Sequence, residues 1–446
     1  MTRSCRWLPV LLLMGIGLAQ SQSSGKSFDH LPASDRQLIS VTVSGTKRYS
    51  DNDIVAASGL QLGTTVVEDD LKKAARRLGD LGVFTDVAYN YSYSSAGTTL
   101  VLQVTDVEKF VPVRFEDFVW FSDAELLQRI KERAPMFNGE LPLSGNLSDR
   151  VSDVLQALLV ENAIPGNVEY ERAGKSNGPV DSVVYRVSEV LIQIRNVEFS
   201  GANEAELPAL KDAAKRVFDR EYSRSVLSAL VEHQLLPVYY ARGFLKAAFG
   251  EPQPKVVKKP GADSEDGPRN LTIVDVTFPV TPGRSYKIKA LEWSGNQVLT
   301  TDVLRKMVRA QPGDAANLVR IGDNLKEIQT LYGSRGYVTA AIKPETELDD
   351  ADGTTVIRLN VKEGFEYHMG ELEFRGLDNS LTAKLRNAWK IRPGEVYDAT
   401  YLSQYLPAAR KLLPSGLDWD VSSHVTANVR DKTVDVDLIY SVKAPK

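Results

Sequence analysis

The feature that most restricts the fold is an internal repeat. Four segments alternate apolar and polar residues and then reach a glycine: VTVSGTKRYS (41–50), RNVEFSGANE (195–204), KALEWSGNQVLT (289–300) and GELEFRGLDNS (370–380). Such alternation predicts a half-buried β-strand that ends in a turn. The glycines are separated by 156, 94 and 81 residues, so the long first interval leaves room for a divergent copy, in which 111–127 supplies a strand without the glycine. The sequence therefore predicts five repeats of about eighty residues.

The fourth repeat shows the order of elements inside a copy. A strand over 288–293 turns at Gly295, and Thr300 or Thr301 is placed to cap a short helix. Apolar residues at spacings of three and four predict a second, longer helix: Leu318, Ile321, Leu325, Ile328 and Tyr332. Two alternating strands follow, one over 338–342 and one over 357–361, joined by the polar segment KPETELDDADGTT (343–355). Each repeat therefore reads β-α-α-β-β.

Glycines recur at two positions within the repeats. The opening strands end at Gly45, Gly201, Gly295 and Gly376, and the second helices end at Gly82, Gly243, Gly336 and Gly416. Glycine accepts the left-handed conformation that stops a helix, so a structural role explains them. The stretch LYGSRGYVTAAI (331–342) also resembles a phosphate-binding loop. Its glycines follow a helix, however, whereas an anion site precedes one, so we interpret it as the entrance to the second strand.

The N-terminal segment predicts export. Residues 1–21 combine a basic start, an apolar run of about a dozen residues and small residues at the end, as in a signal peptide cleaved after Ser21. The run is short for a membrane span, which leaves a retained anchor as the alternative. Cys5 is the only cysteine and lies in the basic start. We therefore expect a mature chain without disulfides, cysteine metal sites or a cysteine nucleophile.

The remaining composition points away from several function classes. The net charge of −4 gives no electrostatic case for nucleic acid. The four histidines have no metal-ligand or nucleophile spacing: His30, His233, His368 and His424. Acidic segments such as ELDDADGTT lack the closing glutamate of an EF-hand, which favours solvated loops over a calcium site. We predict no catalytic residue, no metal site, no cofactor and no small-molecule substrate.

The junctions between repeats carry a family resemblance. VTPGRSYKIKALEWSGNQVLT (280–300) and VKEGFEYHMGELEFRGLDNS (361–380) resemble boundaries between polypeptide-transport-associated (POTRA) domains. The β-α-α-β-β order, with a glycine-aromatic pair after the second helix, is similar to that family too. Five tandem copies resemble the periplasmic arm of the outer-membrane-protein assembly factors. The resemblance implies an α+β fold in an elongated arm, each domain a three-stranded mixed sheet covered on one face by two helices.

The sequence also departs from that family in two places. Family members normally continue into a transmembrane β-barrel, but only four residues follow the strand over 433–442. We therefore expect no barrel and no unaided insertion of outer-membrane proteins. The second repeat carries RAPMFNGELPLSGN (133–146) between its helices. The expected organisation is a signal peptide 1–21, a flexible leader 22–38 and repeats 39–108, 109–189, 190–282 (with a loop insertion 251–269), 283–364 and 365–446.

The resemblance places the second strand of each domain at a sheet edge. An extended peptide can add to such an edge, so we expect partner binding at 84–91, 244–249, 337–343 and 419–425. The candidate residues are Phe84, Val87, Tyr89, Tyr91, Phe244, Phe249, Tyr337, Val338, Ile342, Trp419 and Val421. Tyr89, Tyr91 and Tyr93 share one face, either as a strip for unfolded segments or as packing against a neighbouring repeat. The insertion 251–269 reads as a flexible loop or as a docking loop.

These expectations favour a non-enzymatic protein in the periplasm, associated with the outer membrane and peripheral to it at most. Its partners would be proteins: an outer-membrane β-barrel, the accessory proteins of that barrel, or nascent outer-membrane polypeptides. An envelope scaffold for division or polysaccharide export, without unfolded clients, is the alternative. A hydrolase is disfavoured because the sequence offers no nucleophile-base-acid set.

Overall fold

The computed structural model describes residues 28–175, 178–258 and 270–442. The predicted signal peptide 1–21 lies outside the described residues. The chain divides into two compact bodies, one ending at Val190 and one beginning at Leu191. The first contains repeats 1 and 2, and the second contains repeats 3, 4 and 5.

Repeats 1, 4 and 5 have the predicted β-α-α-β-β order. Repeat 1 consists of β1 (Leu38–Ser44), α1 (Asp51–Ser58), α2 (Glu68–Asp80), β2 (Phe84–Ser94) and β3 (Gly97–Asp106). Repeat 2 is built from β4 (Phe110–Phe115), α3 (Asp123–Arg133), β5 (Glu140–Pro142), α4 (Leu147–Glu161), β6 (Asn167–Gly174) and β7 (Val180–Ser188). Repeat 3 comprises β8 (Leu191–Ser200), α5 (Leu207–Ala214), α6 (Arg224–Leu230), α7 (Leu236–Tyr240), β9 (Ala248–Phe249), β10 (Gln253–Lys258) and β11 (Leu271–Thr281). Repeat 4 contains β12 (Lys287–Ser294), α8 (Thr301–Val308), α9 (Leu318–Gly333), β13 (Ala341–Asp349) and β14 (Thr354–Lys362). Repeat 5 contains β15 (His368–Arg375), α10 (Asn379–Ala388), α11 (Tyr401–Arg410), β16 (Trp419–Asn428) and β17 (Thr433–Val442).

The three-stranded sheets share one topology. Their strand orders are β1-β3-β2, β12-β14-β13 and β15-β17-β16, so the last strand of each repeat is central. The central strand runs parallel to the first strand and antiparallel to the second. Both the first and the second strand therefore lie at sheet edges. This confirms the mixed sheet and the edge position of the second strand.

The opening glycines are required by a close approach to that central strand. A Cβ on Gly45 would collide with the carbonyl oxygen of Val104, and Gly295 and Gly376 approach Val361 and Tyr440 in the same way. Their φ angles of +97°, +78° and +80° also favour glycine. The short helix that follows in repeat 4 is capped by Thr300, whose side chain accepts a hydrogen bond from the Val303 N–H.

Repeats 2 and 3 have four strands each, so the prediction of three strands is wrong for them. In four repeats one isolated bridge joins the start of the first strand to the loop between the helices, for example Lys287 to Ala315. In repeat 2 the longer 133–146 segment extends this contact into β5, which pairs antiparallel with β4. In repeat 3, residues 253–258 of the predicted loop insertion form β10 against β11. Residues 259–269 of that insertion lie outside the described residues.

The predicted apolar stripe of the long helix in repeat 4 faces the core. Ile321, Leu325, Ile328 and Tyr332 are buried against Ile357 and Leu359 of β14. Repeat 5 has an equivalent core around Leu385, Tyr405 and Leu438. Repeats 4 and 5 thus each bury their own apolar residues between a sheet and two helices. The second strand lies at the edge of each of these sheets.

Candidate protein-binding edges

The second strands β2, β13 and β16 each pair with one neighbour only. Within the described residues no strand lies on the outer side of any of the three. An edge strand of this kind presents a row of unpaired N–H and C=O groups to an extended peptide. These backbone edges, rather than a pocket of side chains, form the candidate site.

The most accessible of the three edges is β16. It pairs with β17 over its whole length, from Trp419 opposite Val442 to Asn428 opposite Thr433. All side chains from Ser422 to Ala427 are exposed, and Val425 retains 46% of its accessible surface. The strand contains no proline, so each of its residues carries an N–H group. An incoming strand would therefore meet a long edge without an obstructing proline.

Two other edges carry residues that oppose strand addition. Pro344 lies inside β13, beside the exposed side chains of Lys343 and Glu345. Pro254 and Lys255 occupy the same kind of position in β10. Proline removes a donor and charged side chains disfavour edge-to-edge pairing, so these two edges are partly protected.

The side chains of β16 also border an open groove. Val421 of β16 lines this groove together with Leu406, Pro407 and Arg410 of helix α11 and with Lys411, which follows the helix. The indole N–H of Trp419 donates to the carbonyl of Pro414 at 3.4 Å, which anchors the start of the strand. A peptide added to β16 would therefore lie beside an apolar surface that is flanked by the basic side chains of Arg410 and Lys411.

The predicted edge residues Phe244, Tyr337 and Val338 do not lie on strands. The Tyr337 N–H donates to the Tyr332 carbonyl at 3.0 Å, and the Ala340 N–H donates to Tyr337, so the chain turns twice before β13 begins. The edge predicted at 337–343 is therefore wrong for 337–340 and begins only at Ala341, because apolar residues that alternate within a turn resemble a strand in sequence. In repeat 3, Phe244 likewise precedes β9, and its ring lies 5.9 Å from that of Tyr239.

These misplaced residues belong to joints between repeats. Val338 packs against the core of repeat 5, and Leu245, its counterpart in repeat 3, packs against the core of repeat 4. The Tyr286 N–H donates to the carbonyl of Gly243 at 2.8 Å. The sequence contains a signal for these joints. The pattern Arg-Gly-aromatic-aliphatic occurs at both, as RGFL (242–245) and as RGYV (335–338).

Other predicted side chains point into the cores. Phe84 and Ile342 retain only 5% and 9% of their accessible surface. The ring of Phe249 lies 6.2 Å from that of Phe278 and 6.4 Å from that of Phe199. These side chains hold the strands in place, so what each strand offers a partner is mainly its backbone.

The tyrosine row of β2 is covered by the leader. Tyr89 and Tyr91 lie opposite the buried Leu102 and Leu100 of β3, on the side of the sheet that faces α2. Phe28, in a 3₁₀ turn over Phe28–His30, packs against this row, with ring centroids 4.7 Å from Tyr91 and 6.1 Å from Tyr93. Burial raises the pKa of Tyr91. Within the described residues the row therefore contacts the leader, a contact that the sequence did not suggest.

Gly82, Gly243 and Gly336 of the second group of glycines lie at joints between repeats. Gly82, Gly243, Gly336 and Gly416 have φ angles of +75°, +81°, +87° and +92°, and Gly201 at the end of β8 has +81°. A Cβ on Gly336 would lie 2.9 Å from the carbonyl oxygen of Tyr367 in the next repeat. The backbone therefore requires glycine there for conformation and for contact.

The described residues offer little else that resembles a reactive site. No group of three or more acidic, histidine or cysteine side chains among them could hold a metal ion. His368 lies 3.5 Å from Glu366, while His30, His233 and His424 are exposed on separate elements. No helix in the described ranges is long and apolar enough to cross a membrane.

Comparison with known proteins finds a family match for two of the repeats. The POTRA family model, described as "Surface antigen variable number repeat", matches residues 38–115 and 286–364. These two segments of the chain are similar to POTRA domains. The two matches coincide with repeats 1 and 4 and their glycine turns.

Two relatives of the chain are named as outer membrane protein assembly factors. It is 24% identical over 48% of its length to a protein of Treponema pallidum named "Putative outer membrane protein assembly factor", of which the alignment covers 25%. It is 21% identical over 83% of its length to outer membrane protein assembly factor BamA of Nitratidesulfovibrio vulgaris, covering 46% of that protein. The crystal structure of Haemophilus influenzae BamA POTRA3-5 matches 57% of this chain and 97% of that one, with 20% identity and a TM-score of 0.43. The chain thus spans less than half the length of these curated relatives.

Proposed function

We propose that this protein is a non-enzymatic periplasmic adaptor that binds extended polypeptide by strand addition. The observation that carries the proposal is the edge of β16, ten residues long, without proline and exposed on both faces over 422–427. Main-chain hydrogen bonds to such an edge give affinity without demanding one sequence, which suits a protein that meets many clients.

The names of the relatives suggest where such an adaptor acts. Both matched proteins are named as outer membrane protein assembly factors. We infer that the clients or partners of this chain are outer-membrane polypeptides, a β-barrel, or proteins that accompany a barrel. The location would be the periplasm beside the outer membrane.

Hydrogen exchange tests this function directly. The full chain is mixed with a ten-residue peptide of alternating apolar and polar residues, taken from a membrane strand of an outer-membrane protein. We expect slower exchange of the amides over 419–428, because the added strand accepts hydrogen bonds from outward N–H groups. A peptide of the same length, in which alternate residues are replaced by proline, serves as the control. If no second strand gains protection, the adaptor function is wrong and a scaffold without unfolded clients replaces it.

A further inference from the structure

The β2 edge of repeat 1 differs from the β16 edge because a segment of the chain itself lies beside it. Phe28 retains 4% of its accessible surface and contacts the rings of Tyr91 and Tyr93. Like β16, strand β2 contains no proline. A strand suited to peptide addition therefore has its aromatic face occupied by a residue from the leader.

A second contact holds the leader at this place. The Asp29 carboxylate accepts a hydrogen bond of 2.9 Å from the Glu68 N–H, at the first turn of α2. The N-cap residue of that helix is Val67, which has no side-chain oxygen to offer. Helix α9 of repeat 4 has its own cap in Asn317, which accepts from the Arg320 N–H at 2.8 Å. Phe28 and Asp29 thus contact both strand β2 and helix α2.

Within the described part of the chain, the turn Phe28–His30 leaves the backbone edge of β2 free. It pairs with no residue of β2 in the sheet. One buried phenyl group favours the covered state, whereas ordering the short 3₁₀ turn opposes it. The Asp70 carboxylate accepts from the Val67 N–H at 3.0 Å, so α2 keeps one cap when the leader departs. Displacement of Phe28–His30 therefore leaves helix α2 with a capped N-terminus.

We propose that Phe28–His30 is a displaceable cover over the tyrosine face of β2, beside α2. An extended polypeptide that adds to β2 and carries an aromatic side chain takes the place of Phe28 against Tyr91 and Tyr93. The cover makes repeat 1 selective, because a client without an aromatic residue cannot replace the contact that it breaks. This inference rests on the strand-addition function proposed above.

The test compares full-length wild type with Phe28→Ala, Asp29→Ala and the matched leader control His30→Ala, whose exposed side chain touches neither tyrosine. The probe is a fluorescein-labelled ten-residue peptide alternating Phe and Ser, followed by anisotropy and by hydrogen exchange of 84–94 and 419–428. We expect Phe28→Ala to bind the probe at β2 about tenfold more tightly, since competition from a buried phenyl group is gone. Asp29→Ala should show a smaller gain, and His30→Ala none. Exchange at β16 serves as the internal reference and should be the same in all four proteins.

Each alternative result has a definite meaning. If β16 is protected by the probe while affinity at β2 is unchanged or weaker in Phe28→Ala, the cover is wrong and the adaptor function stands. If no second strand is protected in any of the four proteins, both proposals fail. If Phe28→Ala unfolds repeat 1, Asp29→Ala decides, because it weakens the leader without opening the aromatic contact. An unchanged affinity at β2 in Asp29→Ala then overturns the cover.

Discussion

The backbone N–H of Tyr367 donates a hydrogen bond of 2.8 Å to the carbonyl oxygen of Gly336. The same bond, of the same length, joins Tyr286 to Gly243 one repeat earlier. In both places the aliphatic residue two positions after the glycine enters the next core, Val338 in one case and Leu245 in the other. Repeats 3, 4 and 5 are therefore joined by one recurring device, in which a glycine, a backbone hydrogen bond and an apolar side chain act together.

The joint predicts that Gly336→Ala is more harmful than the same change at the corresponding Gly416. Both have a left-handed φ, so both substitutions carry backbone strain of about 1–2 kcal/mol. A Cβ on Gly336 would lie 2.8 Å from Val396, whereas nothing lies within 4 Å of one on Gly416. We expect Gly336→Ala to lower the free energy of unfolding in urea by about 1–3 kcal/mol more than Gly416→Ala does. Exchange of the Tyr367 amide should accelerate only in Gly336→Ala, and equal effects of the two changes would show that the joint is not packed this way.

Tyr332 predicts a second stability difference. Its hydroxyl donates at 2.8 Å to the Glu363 carboxylate, which also accepts from the N–H groups of Gln297 and Val298. Burial and this hydrogen bond raise the pKa of Tyr332. Tyr332→Phe should lower the free energy of unfolding by about 1–2 kcal/mol, since a hydrogen bond to a charged group is lost. Tyr337→Phe is the control, because the Tyr337 hydroxyl forms no hydrogen bond with any of the described residues, although its ring packs against Tyr332. A similar loss in the control would count against the role of Glu363.

The buried Tyr185 predicts how stability changes at alkaline pH. Burial raises the pKa of Tyr185, whose hydroxyl donates at 2.8 Å to the Ser148 carbonyl. The unfolded state releases this proton near pH ~10 while the folded state keeps it, so the contribution to stability is complete below that pH and is lost above it. The loss amounts to at most ~1.4 kcal/mol per pH unit for one tyrosine.

Urea unfolding between pH 8 and pH 12 measures this contribution. We expect the free energy of unfolding of Tyr185→Phe to fall less steeply above pH ~10 than that of wild type. The control Tyr93→Phe changes a tyrosine that retains 39% of its accessible surface and should follow the wild-type slope. Parallel slopes for wild type and Tyr185→Phe would contradict the prediction.

The local patterns of the sequence predict the order of elements in repeats 1, 4 and 5, but not the extra strands of repeats 2 and 3. The apolar stripe from Leu318 to Tyr332 and the alternation of β14 depend on near neighbours, and both appear in the structure as predicted. Strand β13 was misplaced because Val338 and Ala340 alternate like a strand, while the partner of Val338 belongs to the next repeat. The cover by Phe28 could not be foreseen either, since Tyr91 lies more than sixty residues further along the chain. Contacts between distant segments decide these features, and periodicity does not report them.

The central claim is that an extended peptide adds to the outer edge of β16, and a pair of proline variants tests it most directly. Ser422 and Ser423 are both exposed and lie opposite Ile439 and Leu438 of β17. Successive N–H groups of a strand point in opposite directions, so Ser422→Pro and Ser423→Pro remove one outward and one inward donor. Thermal unfolding identifies the variant that keeps wild-type stability as the one that has lost the outward donor.

The affinity of that variant for the labelled outer-membrane peptide is the deciding measurement. We predict that it binds at β16 at least about tenfold more weakly than wild type, because a main-chain hydrogen bond at the edge is lost and the ring obstructs the incoming strand. Wild-type affinity in the stable proline variant, with the same protection over 419–428, would contradict strand addition at β16.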